Sequence, residues 1–560
     1  MSSITSNNSV FPGVTLSHLA ITAVLVFVFS FFALVVSMAP NITAIDEGLI
    51  ITGAMQVGAG AIPHGDFYSL YGPGQFYVVA GLFDLFGQTV LVERLYDVAV
   101  KASIVCFLYL VASQLMRPLY ATIAAALCLL WIAAEARYFP AYPVWPCLLL
   151  ILLSVWIALP LFSGRYSIAR LVSVGVCVWG VALFRYDLGL LALLIFSAAF
   201  VLFGLREPQT YGSRAGQLAA ILAPFWVTVG FLFILLISIY MKLGVINDFI
   251  FQVVTYPSLH YVDRRLPFLT PSRSNLYDTI IYMPIFTVIV FLILMVTNFS
   301  QLVLSKGGRR EIWMSSVIAC FAAGLYFKGV VRVSVIHLMA SITVSFIVLG
   351  YVVDRFTSRQ RMFGRAALAV LLVPAVLFTI VPSLVAAKHL VRGTTRANLR
   401  DAINLTERLI SKKETTGDDR CNSKSDLARV RCFQLSAPEV ETIRYVVGHS
   451  APDQPILVAG GINDKIFANN MALYFLTGRH PATKWAQFDP GLQNSEPIQA
   501  EMVGELESRQ APLVVLDTEW DNVNEPNGSA KHSGVTMLDD YIHQHYKEVA
   551  RFDPYLILQR

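Results

Sequence analysis

Long apolar runs recur through the first two thirds of the chain and decide what it can fold into. A bilayer core about 30 Å thick needs about 20 apolar residues in each crossing helix. The sequence therefore predicts a polytopic α-helical membrane protein with about 11 transmembrane helices. A shorter run, from Gln75 to Phe86, cannot cross and predicts an interfacial segment. The long runs begin near Leu16, Tyr96, Leu119, Val144, Ile168, Leu188, Leu218, Thr279, Ile312, Val333 and Ala366.

Charge divides the chain into two predicted domains. Only 14% of the 560 residues are charged, whereas a soluble domain carries roughly 25%. Residues 1–387 form the predicted transmembrane domain, and residues 388–560 have the composition of a water-soluble domain. In the second part, PILVAGG and APLVVLDT predict buried strands, while SEPIQAEMVGELESR and MLDDYIHQHYKEV predict helices. A small α/β domain is expected there, and the net charge of +5 is explained by basic loops beside the membrane, so no nucleic acid is expected.

Lysine and arginine in the loops predict the orientation of the spans. If the N-terminus is cytoplasmic, the loops on its side of the membrane contain an excess of basic residues. The loops on the opposite side mix basic residues with acids such as Glu135 and Asp248. Basic loops favour the cytoplasm. The N-terminus is therefore predicted inside, the first external loop covers residues 39–95, and an odd number of spans puts the C-terminal domain outside. The basic set is Arg117, Arg165, Arg170, Arg206, Arg214, Lys306, Arg309, Arg310, Arg355, Arg359, Arg361 and Arg365.

Asp46, Glu47 and Asp66 fall in the first external loop, close to the end of the first span. A carboxylate that is partly desolvated at the membrane surface can act as a general base on an incoming hydroxyl. The alternatives are structural, because acids favour the first turn of a helix and Asp66 precedes a YGPG turn. Asp46 and Glu47 are also a candidate hard-oxygen site for Mg²⁺ or Mn²⁺. The alternative is a general base that acts without a metal, and the residues alone do not decide between a metal site and a metal-free base.

Basic side chains at the outer ends of spans form a second candidate group. FRYDLG contains Arg185, and KGVVRVSVIH contains Arg332 and His337. Arginine suits a phosphate because its guanidinium donates two parallel hydrogen bonds. Each residue has a structural alternative: Arg185 can pair with Asp187, Arg332 can snorkel to the interface, and His337 can be a hydrogen-bonded residue of the bundle.

The remaining polar features are few. Cys421 and Cys432 are the two cysteines of the C-terminal part, and their spacing is not that of a zinc or redox motif. A disulfide is predicted if that domain lies in an oxidising compartment, and free thiols otherwise. Lys101 lies one turn after Asp97 and predicts an ion pair within the membrane. No Walker A, HExxH or GxSxG motif occurs, so ATP-driven transport and soluble-type hydrolysis lack support.

Several of these motifs resemble those of GT-C fold glycosyltransferases. DEG after the first span, then GDFYSLYGPGQFY, LFG and ERLYD, is similar to the first external loop of that superfamily, which includes protein mannosyltransferases, lipid A aminoarabinose transferases and rhizobial galacturonosyltransferases. FRYDLG and RVSVIH look like motifs of bacterial members, where the second often reads R-x-D-x-x-H, so Ser334 is a departure. GGINDKIFANNMALYFLTGRHPATKWAQFDPGLQ is similar to the outer domain of the same group.

The resemblance implies an inverting glycosyltransferase in a bacterial inner (plasma) membrane, with the C-terminal domain in the periplasm. A sugar would pass from a polyprenyl-phosphate donor to an envelope acceptor, which is a glycan such as lipopolysaccharide, a lipid or a protein. The competing interpretations are a transporter or flippase for lipid-linked glycans, a polymer ligase, and a non-catalytic envelope assembly protein. By the resemblance, Asp46 is the general base, and the adjacent Glu47 is the second candidate catalytic residue. Arg185, Arg332 and His337 are the candidates for binding the donor phosphate because they lie at the outer ends of spans. Asp66, Tyr71, Arg264 and Arg265 are expected in substrate-contacting loops.

Overall fold

The computed structural model of the protein describes residues 16–135, 139–163, 166–206, 213–260, 264–304, 308–358, 365–393, 427–431 and 433–560. Cys421 and Cys432 lie outside these ranges, so the disulfide stays a prediction.

A bundle of long helices makes up most of the described residues as far as Gly393. By length and composition, ten of the described helices can cross a membrane, namely α1, α4, α5, α6, α8, α9 and α12 to α15. The remaining predicted run, which begins near Ile168, corresponds to α7, a helix of 17 residues. The chain is therefore a multi-pass membrane protein, as predicted. The helices are α1 Leu16–Val36, α2 Asp46–Gly58, α3 Gly74–Phe86, α4 Val90–Ala112, α5 Pro118–Glu135, α6 Val144–Ala158, α7 Ile168–Phe184, α8 Tyr186–Arg206, α9 Arg214–Lys242, α10 Ile246–Ile250, α11 Tyr256–His260, α12 Met283–Leu304, α13 Gly308–Gly329, α14 Val335–Ser358 and α15 Arg365–Gly393.

Two helix–helix junctions define the end of the bundle that matters for function. α7 ends at Phe184, Arg185 is extended at φ −149° and ψ 117°, and α8 begins at the next residue. α13 ends at Gly329, and α14 starts six residues later at Val335. We call the end at which α7 and α13 finish the site end. The loop charges predict that the site end faces the outer side of the membrane, and this orientation remains a prediction.

The C-terminal part contains a four-stranded sheet in the order β1-β2-β4-β3. β1 (Ile456–Gly460) and β2 (Leu513–Asp517) are parallel, as the two buried apolar runs predict, and the helix Glu496–Arg509 lies between them in the chain. β4 (Tyr555–Gln559) is antiparallel to both β2 and β3 (Lys547–Phe552). One prediction needs correction: the helix predicted over MLDDYIHQHYKEV ends at His545, because the following residues pair with β4 as β3.

The segment predicted as the first external loop shares a hydrophobic core with the C-terminal domain. Leu49 and Ile50 of α2 belong to the same buried cluster as Ile456 of β1. Gly48 lies against the backbone of Ala472, so closely that a Cβ on Gly48 would clash with the Ala472 nitrogen. Thr52 also donates a hydrogen bond to the Met471 carbonyl oxygen at 2.7 Å. The glycine after Asp46 and Glu47 therefore lets the C-terminal domain dock on α2. The predicted domain boundary at residue 388 remains a prediction.

Candidate active site

Asp46 is the first residue of α2, and its carboxylate faces polar groups from other elements. It accepts a hydrogen bond from the Tyr71 hydroxyl at 2.7 Å. Burial raises the pKa of Asp46, while the Tyr71 hydrogen bond and the positive charges of Arg185 and Arg332 oppose that rise and Asp489 adds to it. In the described part of the chain, Asp46 has no ion pair with a basic side chain. A carboxylate with a raised pKa is a better proton acceptor once it is ionised.

The YGPG turn places Tyr71 beside Arg185. The Gly72 amide donates to the Phe184 carbonyl oxygen at 3.0 Å, and a Cβ on Gly72 would clash with the Leu183 carbonyl oxygen. The turn therefore packs directly on the C-terminal end of α7. The Arg185 guanidinium lies 5.5 Å from the centroid of the Tyr71 ring, within the range of a cation–π contact.

His64 fixes the same loop to the segment after α9. Its Nδ1 lies 3.0 Å from the Gln252 side-chain oxygen, which also accepts the Ser69 amide at 3.1 Å. The His64 ring is fully buried, and burial lowers its pKa to about 4, so it is neutral near pH 7. We therefore assign His64 a structural role.

Arg185 pairs with Asp187 across the α7–α8 junction, as its structural alternative predicts. Nε and Nη2 each lie 3.0 Å from a carboxylate oxygen of Asp187. Asp187 also accepts the Leu188 amide at the start of α8, a normal use of an acid in the first turn of a helix. This pairing is compatible with the predicted phosphate role, because Lys328 is close enough to act electrostatically on Asp187.

The α13–α14 junction brings further basic groups to the same place. His337 Nδ1 lies 2.7 Å from the Ser334 hydroxyl, so the serine that departs from the family pattern serves as a hydrogen-bond partner. Lys328, Arg332 and Arg185 all act electrostatically on His337. We call Asp46, Arg185, Lys328, Arg332 and His337 the open cluster.

Tyr142, which the sequence analysis did not single out, connects the two halves of the open cluster. Its ring centroid lies 6.4 Å from that of Tyr71 and 6.5 Å from that of His337, with steep interplanar angles at both contacts. These edge-on contacts are typical of packed aromatic rings. Tyr71, which is hydrogen-bonded to Asp46, and His337 therefore contact the same aromatic ring.

Lys328 is the functional candidate that the sequence analysis missed. It lies in the last turn of α13, and in the described part of the chain it has neither an ion pair nor a hydrogen bond to its ammonium group. Its side chain is partly buried. A lysine at the end of an apolar span is a functional candidate by default, so the rarity of such charges was the available signal.

The C-terminal domain contributes two acids that pair with arginines from the preceding part of the chain, and neither acid was predicted. Arg264 forms an ion pair with Asp489, which also accepts the Tyr68 hydroxyl at 2.9 Å. Arg332 forms an ion pair with Glu525. Both pairs join residues that are far apart in the chain, by 225 positions for Arg264 and Asp489 and by 193 for Arg332 and Glu525.

Other predicted site residues lie apart from the open cluster. Glu47 is fully buried in an ion pair with Arg94, and Asp66 accepts the Ile62 amide at 2.7 Å within its own turn. Arg265 is exposed. The structure does not bring these three side chains to Asp46, and their catalytic or substrate-contacting roles stay predictions. Lys101 forms the predicted ion pair with Asp97.

The Asp46–Glu47 pair does not fit a divalent metal ion. Both Glu47 oxygens accept hydrogen bonds from Arg94, and one of them also accepts from Thr43. Within the described ranges, no group of three or more His, Cys, Asp or Glu side chains is arranged to hold an ion, whereas Mg²⁺ and Ca²⁺ sites use several oxygens. No step below is therefore assigned to a metal.

Solved structures with the same fold cover almost the whole chain. ArnT from Cupriavidus metallidurans bound to undecaprenyl phosphate is 12% identical, with a TM-score of 0.51 over 97% of this chain and 98% of that chain. The same protein in the apo state is 13% identical, with a TM-score of 0.51 and the same coverage. The oligosaccharyltransferase AglB from Archaeoglobus fulgidus, in complex with an inhibitory peptide and a dolichol-phosphate, is 11% identical, with a TM-score of 0.49 over 89% of this chain and 70% of that chain.

Searches of family models and of curated protein sequences give no match. The conclusion about the fold rests on the two ArnT structures, which agree in TM-score and coverage. At this level of identity they support the architecture and not a substrate. This chain is a multi-pass membrane protein with the GT-C fold.

Proposed function

We propose that this protein is a glycosyltransferase that moves a sugar from a polyprenyl-phosphate donor to an envelope glycan, lipid or protein at the outer face of the bacterial inner membrane. The observation that carries the proposal is the open cluster: Arg185 and Arg332 act electrostatically on both Asp46 and His337, and Lys328 acts on His337. Neither Asp46 nor Lys328 forms an ion pair in the described part of the chain. Buried charges that are not paired directly are costly, and an anionic ligand at Lys328 with a hydroxyl donor at Asp46 would lower that cost.

The basic side of the cluster suits a phosphate. Lys328, Arg332 and Arg185 all act electrostatically on His337, and arginine and lysine are the usual phosphate-binding side chains. As the bond between the sugar and the phosphate oxygen breaks, negative charge grows on the leaving phosphate. Fixed cations aimed at that oxygen stabilise the transition state. The undecaprenyl phosphate bound to ArnT supports a lipid phosphate as the ligand class.

Asp46 is the proton acceptor in this scheme. It takes the proton of the acceptor hydroxyl, whose oxygen attacks the anomeric carbon of the sugar. The electron pair of the broken bond leaves with the polyprenyl phosphate. Tyr71 donates to Asp46 at 2.7 Å and thereby fixes the direction of the carboxylate, which keeps the free oxygen aimed at the acceptor.

The test is sugar transfer from radiolabelled polyprenyl-phosphate sugars in membranes that contain matched amounts of the wild type or Asp46→Asn. Loss of a general base reduces the rate by about 10²- to 10⁴-fold, so we expect a fall of that size while donor binding persists. Asp66→Asn is the matched control, because it removes an acid from the same loop that lies outside the open cluster. Unchanged transfer by Asp46→Asn would rule out this residue as the base. No transfer by the wild type would favour the transporter interpretation.

A further inference from the structure

The ion pair between Arg332 and Glu525 crosses from the helix bundle to the C-terminal domain. Arg332 belongs to the open cluster, while Glu525 lies in the loop of residues 521–536 that precedes the helix Met537–His545. The two side chains are 28% and 18% exposed. The C-terminal domain therefore touches a residue that we place at the donor phosphate.

The 521–536 loop holds the Glu525 carboxylate in a defined position. Lys465 donates to the Asp521 carbonyl oxygen at 3.0 Å, and the Ser533 amide donates to the Asp464 carbonyl oxygen at 2.8 Å. These bonds tie both ends of the loop to its own domain. Next to the ion pair, the Asn527 side-chain amide donates to the second Glu525 oxygen at 2.8 Å.

The contact occupies only part of the Arg332 guanidinium. Nη2 donates to Glu525, and in the described part of the chain no other side chain or carbonyl takes the remaining guanidinium N–H groups. A guanidinium presents five N–H donors in a rigid fork. Glu525 can therefore fix one edge of the group while the other edge stays able to bind a second anion.

We propose that Glu525 is a positioning residue of the donor site: it holds Arg332 in place so that the guanidinium binds the donor phosphate. This inference rests on the proposed function. It makes the C-terminal domain part of the donor site, in addition to any contact it has with the acceptor. Removing the carboxylate keeps the Arg332 cation in the open cluster and frees its side chain to rotate, so phosphate binding weakens without loss of the cation itself.

A second ion pair between the two domains provides a matched control. Lys484 of the C-terminal domain lies 3.6 Å from Asp248, which follows α9, and 2.9 Å from Glu501 of its own domain. Asp248 is not among the main electrostatic partners of Asp46 or of His337. Asp248→Asn thus weakens domain contact away from the open cluster.

The experiment measures binding of undecaprenyl phosphate to the purified full-length protein in nanodiscs. Loss of one charge-assisted hydrogen bond corresponds to about tenfold in affinity. We expect Glu525→Gln to bind this probe about tenfold more weakly, Asp248→Asn to bind it like the wild type, and Arg332→Gln to bind it at least as weakly as Glu525→Gln. In transfer assays, kcat/KM for the donor should fall by at least a similar factor in Glu525→Gln, with a higher donor KM and a lower kcat, because Arg332 also faces the charge that develops on the leaving phosphate.

Two outcomes overturn the inference while leaving the proposed function intact. One is wild-type affinity in Glu525→Gln together with weak binding in Arg332→Gln. The other is equal weakening by Glu525→Gln and Asp248→Asn, which would mean that domain docking alone matters. If the wild type itself does not bind the probe, the proposed function fails, and the inference fails with it.

The exchanged variant Arg332→Glu with Glu525→Arg separates positioning from a simple latch. It restores an ion pair between the domains but moves the cation out of the open cluster. We expect it to recover the thermal stability lost by either single charge reversal and to remain defective in undecaprenyl phosphate binding. Recovery of both properties would show that the pair only holds the domains together.

Discussion

Arg94 and Arg332 both lie at the site end of the bundle, yet the structure uses them in opposite ways. Arg94 donates to both Glu47 oxygens and to the carbonyl oxygens of Ala39, at 3.0 Å, and Asn41, at 2.8 Å. The Arg94 and Glu47 side chains are 2% and 0% exposed. Arg332 donates to one carboxylate through Nη2 and is 28% exposed.

The same contrast separates two groups of charges. Glu47, Arg94, Asp97 and Lys101 form what we call the closed cluster, in which each basic side chain has an acidic partner. In the open cluster, Asp46 and Lys328 have no ion pair within the described residues. Saturated charges contribute to the structure, whereas unsaturated ones retain the capacity to bind a ligand. Residue type alone does not distinguish the clusters.

The largest stability effect should come from breaking the closed cluster. Arg94→Met leaves the Glu47 carboxylate buried without its counter-ion. Breaking a buried ion pair in this way costs about 3–5 kcal/mol. We expect a large fall in the thermal unfolding temperature of the detergent-solubilised protein, measured by intrinsic fluorescence. Arg332→Met should lower it far less, since its pair is partly exposed. Equal losses in the two variants would remove the distinction between the clusters.

Lys328→Met should have the opposite signature. The ammonium group has no direct ion pair in the described part of the chain, although Asp187 acts on it electrostatically. Its removal relieves a cost of burial and should change thermal stability little. Binding of undecaprenyl phosphate should weaken by about 10- to 100-fold, the range expected for loss of a charge-assisted contact. The matched control is Lys101→Met, which leaves Asp97 unpaired and should destabilise the protein. Full donor binding by Lys328→Met would contradict its assignment.

The pH dependence of transfer should report the environment of Asp46. Its pKa is raised above the ordinary value of 3.8, chiefly by burial, and only the ionised form accepts a proton. The rate should therefore fall about tenfold per pH unit below the folded-state pKa. Asp489→Asn removes a nearby negative charge that raises this pKa, so the acid limb should move to lower pH. A limb that stays fixed or moves upward would show that Asp489 does not act on the base.

The protonation of Asp46 also has a consequence for stability. A pKa raised on folding means that the folded state binds this proton more tightly than the unfolded state, so ionisation of Asp46 above its folded-state pKa reduces stability. Asp46→Asn should be at least as stable as the wild type at neutral pH. Thermal unfolding at pH 7 checks this sign.

The smallest effect is expected at Asp66. Its carboxylate accepts one amide within an exposed turn, and surface changes of this kind alter stability by about 0.5 kcal/mol or slightly more. Asp66→Asn should retain near wild-type transfer and unfolding temperature. A large loss of transfer would instead return Asp66 to the substrate-contacting group.

The architecture could be predicted from local patterns because membrane spans are defined by length and apolarity. All eleven predicted runs correspond to helices of the bundle, and the interfacial segment corresponds to α3. The strands after Pro455 and Ala511 were equally clear. The end of MLDDYIHQHYKEV was not, because pairing with a later strand overrode its helical periodicity.

Only some residues of the candidate site could be predicted from the sequence. Asp46, Arg185, Arg332 and His337 were named from their motifs, and the structure brings them together. Glu47, adjacent to Asp46, turns towards Arg94 because successive residues of a helix point in different directions. Lys328 begins the KGVVRVSVIH motif, but the motif was considered only for Arg332 and His337. The partners Asp489 and Glu525 could not be predicted, since no local pattern encodes contacts between distant segments.

The most direct test compares the two neighbouring acids of α2 in one preparation. Asp46→Asn and Glu47→Gln are expressed at matched levels, and each is measured for sugar transfer from polyprenyl-phosphate sugars and for thermal unfolding. We predict that Asp46→Asn loses transfer by about 10²- to 10⁴-fold and keeps its unfolding temperature, whereas Glu47→Gln unfolds at a clearly lower temperature because Arg94 loses its counter-ion. Transfer retained by a stably folded Asp46→Asn, or lost by a stably folded Glu47→Gln, would contradict the account.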